Sequence, residues 1–209
     1  MGPMEDRVDA GGLERAGSAP ARSMVVRAGG FAAVLGVAVF TFVVVSLHVL
    51  QPRYDPANQL MSELALGRHG WAMFFAFAAI ATALAGLQFA IAALGAGNGL
   101  RILMMISAAL FLAAGVFPLG EATSTIHISA IAAAFVTAVL AMYLFPSMSG
   151  NAAELKSKAV SWSMAAGVAV SVAMGQSALP MGIAQRLAAA FLLLWILVMG
   201  SKLLRTKAA

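Results

Sequence analysis

VVRAGGFAAVLGVAVFTFVVVSLHVL, residues 25–50, decides the fold. Arg27, near its start, is its one Lys, Arg, Asp or Glu, and the rest outruns the roughly 20 residues that a helix needs to cross a hydrocarbon core of about 30 Å. Inside such a core no water is available to the backbone, so the run must close its hydrogen bonds on itself as α-helix. Five more runs of the same character follow, at about 71–94, 100–117, 126–145, 158–177 and 182–204. The expected fold is therefore an all-α membrane protein, a bundle of six transmembrane helices.

Composition agrees. With 62% hydrophobic and 10% charged residues, the 209 residues are spent on spans, with no room for a second soluble domain. The expected layout is a disordered cytoplasmic tail over residues 1–23, a transmembrane domain over 24–205 and a short tail over 206–209. The first apolar run is too long for a cleaved signal and follows a polar stretch, so it is read as a retained span. The net charge of +5 does not point to nucleic acid, because the cations flank the spans instead of clustering with aromatics. With no cysteine, disulfides, thiolate nucleophiles and thiolate-bound metal are excluded.

Orientation follows from the basic residues. If the N-terminus is cytoplasmic, ten of the thirteen Lys and Arg lie inside, and only Arg53, Arg68 and Arg186 lie outside. Such a bias across short connections is the positive-inside pattern of a multi-pass protein of the inner membrane with both termini in the cytoplasm. The outer face then carries those three cations, the three acids Asp55, Glu63 and Glu121, and all three histidines, His48, His69 and His127. Any chemistry is expected on that face.

The connection between the first two spans, QPRYDPANQLMSELALGRHG over residues 51–70, is the richest in polar groups. Asp55 before Pro56 reads as an N-cap followed by proline in the first helical position. Gly67 reads as a left-handed stop. Between them Leu60, Met61, Leu64 and Ala65 share one helical face and Asn58, Gln59, Ser62 and Glu63 the other, which predicts a short amphipathic helix at the interface. Tyr54 and Trp71 stand where interfacial aromatics belong. Arg53 is a headgroup contact or a partner for Asp55.

His48 ends the first span, and His127 opens the fourth behind Thr123, Ser124 and Thr125. At a helix N-terminus the dipole favours neutral imidazole, the form of a base or a ligand. Arg186, within a turn or so of the start of the sixth span, needs pairing or snorkelling at that depth. Glu63 and Glu121 are its expected partners, and together they offer a seat for an anionic headgroup or carboxylate.

With these residues in view, the chain resembles a bacterial and archaeal integral membrane family catalogued as domain of unknown function 998. The resemblance lies in His48, then Pro52-Arg53-Tyr54-Asp55-Pro56, Ser62-Glu63, Gly67 with Gly70-Trp71, Phe117-Pro118, His127 and Gln185-Arg186, and it covers about residues 25–204. Members carry an acidic residue soon after the Phe-Pro, whereas here Leu119-Gly120 precede Glu121. The resemblance implies the fold and a set of positions, and no reaction.

Three functions remain open on these residues. In the first, the outer-face cluster binds a lipid headgroup, a small ligand or a partner, with Arg186, Asp55, Glu63, Glu121, His127, Arg53 and Tyr54 as binding residues. In the second, a hydrolase-like enzyme, metal-assisted or not, acts on a lipid-borne substrate with His127, His48 or Glu63 as catalytic candidates. In the third, the chain carries a small solute, although no Asp, Glu, Lys or Arg lies near the centre of any span. The sequence requires no cofactor. His48, His69 and His127 are the available metal ligands, in no recognised spacing. Membrane lipid is the expected partner, with a second copy or another protein beside it.

Overall fold

The computed structural model describes residues 11–150 and 155–206, with side chains from Ala21 onward. Six helices make it up: α1 (Gly11–Leu50), α2 (Met73–Ala93), α3 (Asn98–Val116), α4 (Ser124–Met148), α5 (Lys158–Gly175) and α6 (Met181–Arg205). Each contains a stretch long and apolar enough to cross a membrane. Among the described residues there is no strand. Each helix packs on the next, and α6 closes the ring against α1. α2 also touches α6 across the middle and is the most enclosed, with 61% of its apolar window buried.

Small residues set these crossings. A Cβ added at Gly29 or Gly36 of α1 would collide with the carbonyl of Gly86 or Ala79 on α2. At Gly30 it would stand 2.9 Å from the carbonyl of Gly200 on α6. Lipid tails are as apolar as a helix surface, so close van der Waals contact replaces the hydrophobic drive between spans. Hydrogen bonds add to it. The Ser107 hydroxyl donates to the Ala134 carbonyl at 3.0 Å, tying α3 to α4, and the indole of buried Trp195 donates to Ser161 at 3.1 Å, tying α6 to α5. Trp162 stacks on Tyr143, donates to its carbonyl at 3.0 Å and carries the Lys158 ammonium over its ring.

Helix boundaries depart from the sequence expectation in three places. α1 is described from Gly11, ahead of the start near Val25; residues 1–10 of the expected tail, like 207–209 at the other end, lie outside the described residues. α3 ends at Val116, close to the expected 117, but α4 runs past the expected end near 145 and through Pro146 to Met148. Proline forfeits only one bond in a last turn, and the ladder resumes when Ser149 N–H reaches the Phe145 carbonyl at 3.0 Å.

The third departure lies between α1 and α2. A short helix is present, but it is a six-residue 3₁₀ helix, Met61–Leu66, followed by a second at Gly70–Ala72. Residues 56–58 form turns instead of the expected first helical turn. The reason is where the carbonyls go. Those of Ala57, Gln59 and Leu60 accept from Ile183 N–H, from Arg186 and from the Tyr54 hydroxyl. Acceptors turned outward to those partners do not build an α-helical ladder. Gly67 is extended (φ −89°, ψ −174°), not left-handed, and His69 takes the left-handed conformation instead (φ 62°).

Candidate functional site at the α1–α2 connection

Arg186 organises this end of the bundle. Projecting from the second turn of α6, it donates through Nη1 to the carbonyls of Gln59 at 3.1 Å and Gly182 at 2.8 Å. Through Nη2 it reaches His48 Nε2 at 3.0 Å and the Tyr54 hydroxyl. Four of its five N–H groups thus meet neutral acceptors from α1, the connection and α6 itself. The expected ion pairs are not formed. Glu63 spends one carboxylate oxygen on Leu60 N–H at 2.9 Å, starting the 3₁₀ helix, and the other on the Gln59 side chain at 3.2 Å. Glu121 lies exposed in the α3–α4 connection. Two backbone carbonyls, a phenol and an imidazole nitrogen take the place given to the acids, and the carbonyls carry no mark in the sequence.

The guanidinium fixes its neighbours' protons. It can only donate, so His48 Nε2 is the acceptor and the imidazole proton sits on Nδ1, 2.6 Å from the Val44 carbonyl. Tyr54 accepts from Arg186 and passes its own proton to the carbonyls of Leu60 at 2.8 Å and Gln59 at 3.1 Å. Its ring meets the His48 ring edge-on at 5.0 Å and lies 5.4 Å from the guanidinium carbon. Burial holds the Tyr54 hydroxyl above the usual tyrosine pKa, against the opposing pull of Arg186. His48 has both ring nitrogens engaged, which leaves it no lone pair to serve as a base.

Asp55 caps a turn, not a helix. Its carboxylate accepts from the Asn58 side chain at 2.6 Å and Ala57 N–H at 2.9 Å, and these bonds hold its pKa below the ordinary aspartate value. Gln185, which sequence reasoning passed over as a site residue, accepts from Met61 N–H at 2.6 Å. Gln51 donates to the carbonyls of Leu64 and Arg68, both at 2.9 Å. The Gln185-Arg186 pair was the available signal: adjacent polar residues opening an apolar span serve two parts of one connection. Gly182 completes the dock, since a Cβ there would stand 2.5 Å from the carbonyl of Gln59 and 2.7 Å from those of Ala57 and Pro56.

Over this scaffold opens a cleft of about 710 Å³ lined by Arg53, Arg68, Tyr54, Gln59 and Glu63, with Leu50 and Leu66 at its edge. Arg53 and Arg68 are exposed, and neither guanidinium group bonds to another described residue. The other histidines stand apart. His69 is exposed beside the second 3₁₀ helix. His127 is buried, its Nδ1 facing the carbonyls of Ala114 at 2.9 Å and Phe117 at 3.0 Å at the end of α3, and its ring edge-on to Phe77. Those two carbonyls require a proton on Nδ1 and leave Nε2 buried without a partner. Neither residue lines the cleft. The Ser124 hydroxyl, at the start of α4, donates back to the Gly120 carbonyl at 2.6 Å. Among the described residues no three His, Asp or Glu side chains gather as a metal ion requires.

No curated protein and no solved structure matches the chain. The sequence profile described as "Protein of unknown function (DUF998)" matches residues 34–202, which span α2 to α5, nearly all of α6 and the half of α1 that bears His48. A six-span bundle that includes the Arg186 dock, matched over most of its length, belongs to the DUF998 family of membrane-spanning helical proteins.

Proposed function

We propose that this chain is a multi-pass protein of the inner membrane, with both termini cytoplasmic, that holds the anionic headgroup of a membrane lipid in the α1–α2 cleft at the outer face. The observation that carries the reading is the pair Arg53 and Arg68, two exposed guanidinium groups lining one cleft with no partner in the described chain. A planar guanidinium fork matches phosphate oxygens better than any other side chain. Arg186 is the post of the site, its donors already spent on the connection. Glu63 is the one acid in the lining against the two guanidinium groups, so the mouth keeps an excess of positive charge. Exposed Leu50 and Leu66 at the cleft, and Trp71 at 69% exposure nearby, suit a surface level with lipid headgroups.

The test uses the intact protein in neutral detergent, titrated with phosphatidylglycerol and, separately, with zwitterionic phosphatidylcholine. An Arg53→Gln/Arg68→Gln variant should bind phosphatidylglycerol at least about tenfold more weakly, since hydrogen bonds to charged groups contribute roughly 1.5–3 kcal/mol each. Its phosphatidylcholine binding should not change. The wild-type preference should also fade as salt is raised, because exposed charges are screened. Equal phosphatidylglycerol binding by variant and wild type removes the headgroup reading.

A further inference from the structure

We infer that the cleft is the head end of a site for a whole phospholipid, one acyl chain of which lies in a groove along α1. The inference rests on the headgroup reading and extends it from head to tail. A groove of about 820 Å³ runs from Val34 to Leu50, flanked by Leu197 of α6. Apart from the hydroxyls of Thr41 and Ser46 its lining is apolar, and Thr41 turns its donor onto the Val37 carbonyl at 2.9 Å. Ala38 is small beside Phe42, which stands 73% exposed, and that step in size contributes to the depression.

Two observations favour a lipid over any other occupant. Leu50 lines both the groove and the polar cleft that holds Arg53 and Arg68, so the two adjoin at the end of α1. The dimensions also agree. From Val34 to Leu50 the helix rises roughly 24 Å at about 1.5 Å per residue, more than the ~15 Å depth of one leaflet. An acyl chain whose headgroup sits in the cleft therefore stays in the groove for its full descent. A helix from a second copy could cover the same groove, but it would bring no anion to the two arginines. An amphiphile with a phosphate head and a long apolar tail satisfies both parts at once.

The probes are dioleoyl phosphatidylglycerol in mixed micelles and glycerol phosphate, the same head without a tail. Wild-type protein should bind the lipid far more tightly than glycerol phosphate. Ala38→Phe, which fills the groove floor, should weaken lipid binding about tenfold, a loss equal to roughly 1.4 kcal/mol, while leaving glycerol phosphate binding unchanged. Val34→Phe obstructs the far end of the groove and serves if Ala38→Phe does not purify folded. Undiminished lipid binding by a folded groove variant, with Arg53→Gln/Arg68→Gln still weakened, overturns the groove while leaving the headgroup reading intact. If the double arginine variant binds both probes like wild type, the headgroup reading fails first. A dimer in native mass spectra that groove filling dissolves, with lipid binding undiminished, assigns the groove to a second copy and also overturns the inference.

Discussion

At the scale of single residues, Arg186 shows how a charge is accommodated near a membrane interface without a counter-charge. Desolvating a guanidinium is costly unless its donors are met. Here two carbonyls, a phenol oxygen and an imidazole nitrogen meet them. Arg186→Gln should therefore lower stability by about 3 kcal/mol, because several bonds to a charged donor disappear together. Arg186→Lys should recover only part of that, since an ammonium cannot span the same fork. Thermal melting in detergent reads both, and equal melting of Arg186→Lys and wild type would show that charge alone matters. Arg186, His48 and Tyr54 were each legible in the sequence as unusual residues at span ends. Their mutual contact was not, because acceptors such as the Gln59 carbonyl carry no mark in a sequence. The acids were credited with a pairing that the backbone performs.

At the scale of elements, the 51–70 connection behaves as a plug docked on α6. Its amphipathic pattern was legible, and Met61 and Leu64 are indeed buried. Its helix type was not. The pattern over Asn58–Ala65 fits an α-helix, but Ile183 N–H, Arg186 and Tyr54 claim the carbonyls that such a helix would use. Long-range donors from α6 override a local periodicity, and no local reading anticipates them. Gly182 is the place to test the dock. A side chain there meets three carbonyls of the connection at 2.5–2.7 Å, and backbone yields far less readily than a side chain. Gly182→Val should lift the 51–70 segment away, raise its protease sensitivity and weaken phosphatidylglycerol binding, with the six-span fold kept. Limited proteolysis mapped by mass spectrometry decides it. A variant cut no faster than wild type within 51–70 would mean that the connection stands without α6.

At the scale of the whole molecule, two features of the helix ring bear on function together. The spans carry small residues where α1 meets α2 and α6, so the ring is tight there, and the described charged side chains lie toward its ends. One end bears the cleft; the other holds the Tyr143–Trp162–Lys158 stack. The six-helix count was legible because lipid imposes one solution on the backbone. Sidedness rests on charge alone: among the described residues Arg22, Arg27, Arg101, Lys156, Lys158, Lys202 and Arg205 lie toward one end of the ring, and only Arg53, Arg68 and Arg186 toward the other. The chain's lack of cysteine makes this directly testable, since any introduced thiol is the only one. Asn58→Cys places a thiol at an exposed position of the connection, although it gives up the bond to Asp55. A membrane-impermeant maleimide added to intact cells stripped of their outer barrier should label Asn58→Cys at once, and should label Lys156→Cys only after lysis. The reverse pattern would put Arg53 and Arg68 in the cytoplasm. The lipid proposed for the cleft would then come from the inner leaflet, because the cleft and its guanidinium pair move with the face that bears them.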